Sequence, residues 1–211
     1  MLLKILAILL SILSLSPTVT AEELLTQAND VSSWTLEVEE YMIYKGESDC
    51  TKYFFEQDSD MIHLVTTPEL LVCDGDYDHY FDISEGVLYS TSFGDWVAEY
   101  EPYYSTKLDA LISVNWLVAL DSPNLVECEG YYEVSGDCAA MLVDSLTYDI
   151  FDESAEKTIK LTFDKTTREL TGIIVTADAG ELAMIVDISV SAINATKVVL
   201  PFDSSVVVVS D

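Results

Sequence analysis

The stretch KTIKLTFDKTTRELTGIIVTADAGELAMIVDISVSAINATKVVLP, residues 157–201, decides the fold. Its first segment alternates, with Ile159, Leu161 and Phe163 on one side. Asp164 to Arg168 is turn-rich, Glu169 to Ala177 runs back, and Asp178-Ala179-Gly180 turns again. A long segment from Glu181 to Ile193 then puts Leu182, Met184, Val186, Ile188 and Val190 on one face. A period of two sustained over so many residues predicts three antiparallel strands and the start of a fourth. One face of such a sheet is apolar and must be covered.

Upstream, Trp34 to Tyr44 alternates in the same way. Trp34, Leu36, Val38, Met42 and Tyr44 share a face, and Glu40 is the one polar misfit among them. Further hairpins are expected over Cys50–Glu56, Met61–Thr66, Leu70–Cys73, Tyr77–Ile83 and Val87–Ser90, without crossover helices. Glu22 to Val31 has helical spacing, with acidic residues in its first turn, where they suit the helix dipole. Leu108 to Leu120 is apolar almost all round, which predicts a helix buried against the sheet, a buried strand being the alternative. Asp121-Ser122-Pro123 is expected to stop it. Alternation returns over Leu125–Val134, and Ala139–Leu146 reads as a second short helix. The fold class is therefore α+β, a single large antiparallel sheet with short helices on its apolar face, in one domain over residues 22–211.

The first 21 residues read as a cleavable export signal. Lys4 precedes an apolar run from Ile5 to Leu15, and Val19-Thr20-Ala21 offers small or short residues before the cut. That run is shorter than the ~20 residues a membrane span needs, so no stable insertion is expected after cleavage. All 38 acidic residues follow the cut and Lys4 precedes it, leaving a mature net charge of 30 negative. Such a surface repels nucleic acid and anionic membranes. Hydrophobic residues still make up 50% of the chain, enough for a real core. The four cysteines, Cys50, Cys73, Cys128 and Cys138, point to two disulfides in an exported chain. Three pairings are possible, and the sequence-local one (Cys50 with Cys73, Cys128 with Cys138) brackets predicted turns.

Catalytic patterns are missing. No H-E-x-x-H, G-x-S-x-G or Gly-rich phosphate loop occurs, and His63 and His79 stand apart in predicted strands. A non-enzymatic protein without a cofactor is expected. One metal pattern stands out: Asp74, Asp76, Asp78, Asp82 and Glu85 occupy positions 1, 3, 5, 9 and 12 of a calcium loop, with the Tyr80 carbonyl at position 7. His79 sits where such a loop needs Gly for its bend. Asn194-Ala195-Thr196 has the form of a glycosylation acceptor. Tyr100, Tyr103 and Tyr104, near Trp96, are candidates for a protein-contact surface.

The order of elements resembles a known family. A signal segment precedes AEELLTQANDVSSW (21–34). Antiparallel hairpins and an apolar segment follow, and a closing meander carries Phe163-Asp164-Lys165-Thr166 and runs from Ile193-Asn194 to Leu200-Pro201. This is similar to the bacterial lipoprotein-localisation factors and related exported lipid-binding proteins, the LolA- and LppX-like half-barrels. The present chain has no lipid-anchor cysteine near the cut. The resemblance implies a curved sheet with helices over its concave face and an apolar cavity between them. Met42, Met61, Trp116, Met184, Val186 and Ile188 would line that cavity, and a lipid, an acyl chain or a lipidated peptide would fill it. The alternative is an acidic interaction module whose core is simply filled.

Overall fold

A computed structural model describes residues 19–68, 77–92, 95–103, 108, 111, 114–138, 140–147, 150–151, 154–203 and 208–209. The sheet consists of β1 (Trp34–Tyr44), β2 (Glu47–Gln57), β3 (Met61–Pro68), β4 (Tyr77–Asp82), β5 (Val87–Ser92), β6 (Asp95–Tyr100), β7 (Leu120–Glu127), β8 (Tyr131–Cys138), β9 (Glu156–Asp164), β10 (Leu170–Asp178), β11 (Leu182–Ser191) and β12 (Val208–Val209). Among the described residues, three short helices with defined ends accompany it: α1 (Ala21–Ala28), α2 (Trp116–Ala119) and α3 (Ala140–Leu146). The strand order is β12-β6-β5-β4-β3-β2-β1-β11-β10-β9-β8-β7, and the end strands do not pair. Eleven strands run antiparallel to their neighbours, while β12 adds to β6 in parallel. The architecture is the expected curved, open half-barrel.

Local chemistry sets the turns. Lys45 and Gly46 both take positive φ, 52° and 85°, the conformation of a two-residue I′ hairpin whose twist matches the flanking strands. The Asp164 carboxylate accepts from the N–H groups of Thr166 and Thr167, both at 2.7 Å. Those two bonds, Thr167's first, hold its carboxyl below the ordinary Asp range. Asp178 closes the next turn by accepting from the Gly180 N–H at 2.7 Å. Thr20 caps α1 in a full capping box with Glu23.

Strand parity then builds the core. One row crosses the sheet from Leu125 through Val134, Leu161, Ile173, Ile188 and Val38 to Tyr53. From Val134 to Val38 its members are essentially inaccessible to water. The apolar faces of α1 (Leu24, Leu25, Ala28) and α3 (Leu142, Val143, Leu146) belong to the same cluster. Lys157 ties α3 to β9 through Asp144 at 2.5 Å.

Several expectations need correction. Residues 108–120 do not form one buried helix. Leu111 lies in a helical turn, Asn115 caps α2 by accepting from the Leu117 N–H at 3.2 Å, and Leu120 already begins β7. Val118 is 77% exposed, so the apolar run is not buried all round. Asp121-Ser122-Pro123 does not end an element but sits in a bulge of β7, with Ser122 at φ 47°. The Leu125–Val134 alternation is interrupted by a turn at Gly130, where φ is 89°. The expected fourth strand after Asn194 is absent. Thr196–Leu200 is irregular, and Asn194 instead accepts from Ser32 and donates to the Asp30 carbonyl. The expected Leu70–Cys73 strand lies outside the described residues.

The local disulfide pairing also fails for one pair. Cys128 adjoins the β7–β8 turn, whereas Cys138 pairs with Leu120 at the far end of the hairpin. The length of β8 puts about 23 Å between them at ~3.3 Å per residue, against the ~6 Å that a disulfide allows. Cys50 and Cys128 carry free thiols. Cys73, the expected partner of Cys50, lies outside the described residues.

Two outcomes are expected. Leu161→Ala should lower the unfolding free energy by roughly 2–5 kcal/mol and Val118→Ala by less than about 0.5 kcal/mol, read from urea denaturation. Cys128 should react with a maleimide without prior reduction, with the labelled residue located by peptide mass spectrometry.

Candidate functional site

The concave face divides into a covered half and an open half. Over β8 to β11 and the start of β1, side chains from the helices and from Leu108, Leu111 and Phe151 join those of the sheet in one buried cluster. Trp116, Met184, Val186 and Ile188 are all in it, buried to 1% exposure or less. The structure therefore brings these four expected cavity residues together, as packed core. Met42 shares their face opposite Met184, but it lies at the open rim and is 38% exposed.

Met61 does not join them. It points to the convex side of β3, where it packs with Tyr80 and Val198. Phe202 tilts over Trp96 there at 4.5 Å between ring centroids. The two faces of one strand cannot serve one cavity, so Met61 does not line one on the concave face.

The open half of the concave face runs over β1 to β5. A second row continues from Leu36 through Phe55, Leu64, His79 and Ser90 to Val97. Here Phe55, Ile62 and Phe81 are still buried with the core, and only Tyr53, Leu64 and Leu88 are half-buried at its edge. Polar groups interrupt them. Glu40 lies opposite Val186 and is only 7% exposed. Burying a carboxyl among apolar neighbours is costly, so such a residue marks a candidate site. Gln57 lies between Trp34 and Ile62, its side-chain oxygen buried without a hydrogen-bond donor among the described residues. It lines a crevice of ≈ 20 Å³ with Ala28, Ser33, Leu111 and Val114, where the helical cover meets the sheet. His79 is half-buried, and burial lowers its pKa against the opposing pull of Asp78. An apolar strip with a few polar groups at its border is the usual composition of a small-molecule site. The sequence signalled Glu40 as a misfit, but not Gln57 or His79, whose positions depend on strand register.

The calcium pattern does not close. Asp78 and Asp82 lie on the extended strand β4, so about 13 Å separates them at ~3.3 Å per residue. A calcium ion needs its oxygens at ~2.4 Å from a common centre. Asp78 approaches His63 Nε2 at 3.0 Å, and Asp82 accepts from the N–H groups of Ser84 and Glu85 at 2.9 Å. Glu85 is in the turn after β4, and Asp74 and Asp76 lie outside the described residues. Among the described residues, no group of three or more His, Cys, Asp or Glu side chains is placed to hold a metal ion. Of the candidate contact residues, Tyr100 and Tyr103 are 73% and 93% exposed, Trp96 packs against Tyr80 and Phe202, and Tyr104 is outside the described residues.

No family model matches the chain, and no curated protein matches it in sequence. Among solved structures, LprF from Mycobacterium bovis aligns over 85% of this chain and 95% of its own, with a TM-score of 0.57 at 15% identity. The fold is an open half-barrel like that of LprF. A LolA superfamily protein from Nitrosomonas europaea also aligns, over 82% of this chain and 92% of its own, at a TM-score of 0.33 and 11% identity. At such identities the likeness concerns the fold. No described helix is long and apolar enough to cross a membrane.

The lowered pKa of His79 has a defined consequence. The unfolded chain binds this proton more tightly, so the stability contribution is present above the unfolded value near 6.5 and is lost as pH falls below it. The urea midpoint of the wild type should fall more between about pH 7.5 and pH 5 than that of His79→Gln. Equal shifts in the two proteins would show that His79 does not titrate differently on folding.

Proposed function

We propose that this chain is an exported, non-catalytic binding protein. It holds an amphiphile with an acyl chain against the open half of its concave face. The observation supporting this reading is the continuity of the apolar floor. It passes from the packed core into the half-exposed strip of Tyr53, Leu64 and Leu88, with Glu40, Gln57 and His79 beside it. An acyl chain would lie along the strip, and its polar head would meet the polar border. The remainder of the concave face is packed, so the ligand extends the core rather than filling a large void. The half-barrel fold is consistent with such use.

Export rests on Met1–Ala21 as a cleaved signal. Cleavage after Ala21 would remove Thr20 and its capping box, leaving α1 held by Leu24, Leu25 and Ala28 and by its first-turn acids. The protein would then act outside the cytoplasm as a single domain over residues 22–211. A second reading, an acidic protein-contact module, is favoured by the exposure of Tyr100 and Tyr103.

A dansylated fatty acid reports on the first reading directly. Its emission should rise on titration with the purified protein, and Leu64→Asp should weaken binding about tenfold, as expected for replacing apolar contact with a charge. Met42→Glu, at the exposed rim, separates loss of binding from loss of folding. No emission change with wild type, or identical titrations for wild type and both variants, would remove the proposed ligand.

A further inference from the structure

The convex face carries a feature that an acyl-chain site does not use. Side chains of β1, β2, β3 and β11 enclose a half-open groove of ≈ 530 Å³. Glu37, Glu39 and Asp187 provide carboxylates, Lys52 one ammonium, and Phe54 and Val65 an apolar floor. Ser189 adds a hydroxyl beside them. Glu37 is opposite Ser189, and Glu39 is directly opposite Asp187 in the β1–β11 ladder.

That last pairing is unusual. Like charges directly opposite in an antiparallel pair are destabilising, and strands selected for stability alone place opposite charges there. Only one of the two carboxylates is compensated. Glu39 receives a hydrogen bond from Lys52 at 2.8 Å and another from the Tyr41 hydroxyl, and the Lys52 bond is the main cause of its lowered pKa. Asp187 has its carboxyl pushed upward, first by partial burial and then by Glu39. The groove thus combines a residual negative charge with an apolar floor beside it. A free inorganic cation would use the charge and leave the floor of Phe54 and Val65 without function. An extended segment carrying a lysine or arginine next to an apolar side chain would use both.

We infer that this groove is a docking surface for a basic, partly apolar segment of a partner protein, whose cation sits between Glu37 and Asp187 while its apolar side chain rests on Phe54 and Val65. The groove lies on the opposite sheet face from the proposed acyl-chain strip, so the two sites can be occupied together. Partner docking at one face and ligand exchange at the other are compatible through the same pair of strands.

A synthetic peptide of alternating Lys and Leu provides the test, with a Lys-Ser peptide of equal charge and spermine as comparisons. Binding to the full chain is read by fluorescence anisotropy at low and physiological salt. The Lys-Leu peptide should bind more tightly than the Lys-Ser peptide, and the double variant Glu37→Gln/Asp187→Asn should weaken it about tenfold. The control Asp95→Asn/Glu101→Gln removes the same charge from exposed positions elsewhere and should change binding less than about twofold. Neutralising Asp187 removes a repulsion, so the groove variant should keep or raise its urea midpoint while losing the peptide. Equal weakening by the control would identify diffuse attraction to an acidic protein and overturn the proposal. Equal affinity for the Lys-Leu peptide, the Lys-Ser peptide and spermine would overturn it as well, since the floor would then have no part. The fatty-acid titration is independent of these outcomes.

Discussion

Everything in this fold depends on the ladder between β1 and β11. The sheet is two meanders, β1 to β6 and β7 to β11, and within it this ladder is where they join directly. It runs from Thr35 opposite Ser191 to Tyr44 opposite Leu182. Its partners are separated by more than a hundred residues, so its closure entropy must be met by contacts formed only when both halves are in place. The apolar side of the ladder supplies them: Leu36 with Val190, Val38 with Ile188 and Met42 with Met184. Burying such side chains contributes roughly 1.5–3 kcal/mol each, and the helices add theirs from above. Apart from β12, which adds to β6 in parallel, the remaining strands pair with their neighbours in sequence, through turns that depend on nearby residues such as Gly46, Asp164 and Asp178.

That division explains what could be read from the chain. Strands β1, β9, β10 and β11 were legible nearly to their ends, because one face meets the core and the other meets water. Period-two alternation is the direct imprint of that asymmetry. The segment from Leu108 to Leu120 was not legible for the opposite reason. Its apolar residues serve a helical turn, a capped single-turn helix and the first residue of a strand, and composition does not distinguish these uses. Asn115, which caps α2, looks unremarkable among apolar neighbours. The turn at Gly130 was hidden because the residues on both sides continue to alternate.

The candidate sites divide along the same line. Glu40 stood out in the sequence because local alternation alone places it on the apolar face, and the structure buries it there. The opposition of Glu39 and Asp187 had no sequence signal, since it arises from the register of strands nearly 150 residues apart. The resemblance puts Met61 in the cavity lining, but parity within β3 sends it to the convex face. Cys128 and Cys138 were paired by closeness in sequence, whereas a hairpin strand makes sequence neighbours spatially distant. In each case the deciding quantity was parity or register.

The seam also explains why unfavourable groups can accumulate there. A one-residue slip of β1 against β11 would turn Leu36, Val38, Val186 and Ile188 outward and carry Glu37, Glu39 and Asp187 into the core. The cost of that slip is several buried side chains at once, far more than one carboxyl on the apolar face or one like-charge pair on the polar face. The register is therefore over-determined, and single positions within it are free to be suboptimal for stability. A hairpin at the edge of the sheet, held by fewer contacts, has less tolerance for such groups. Glu40 on one face and the Glu39–Asp187 pair on the other are thus found where the fold can best carry them, which is also where a ligand or partner would act on both halves of the sheet together.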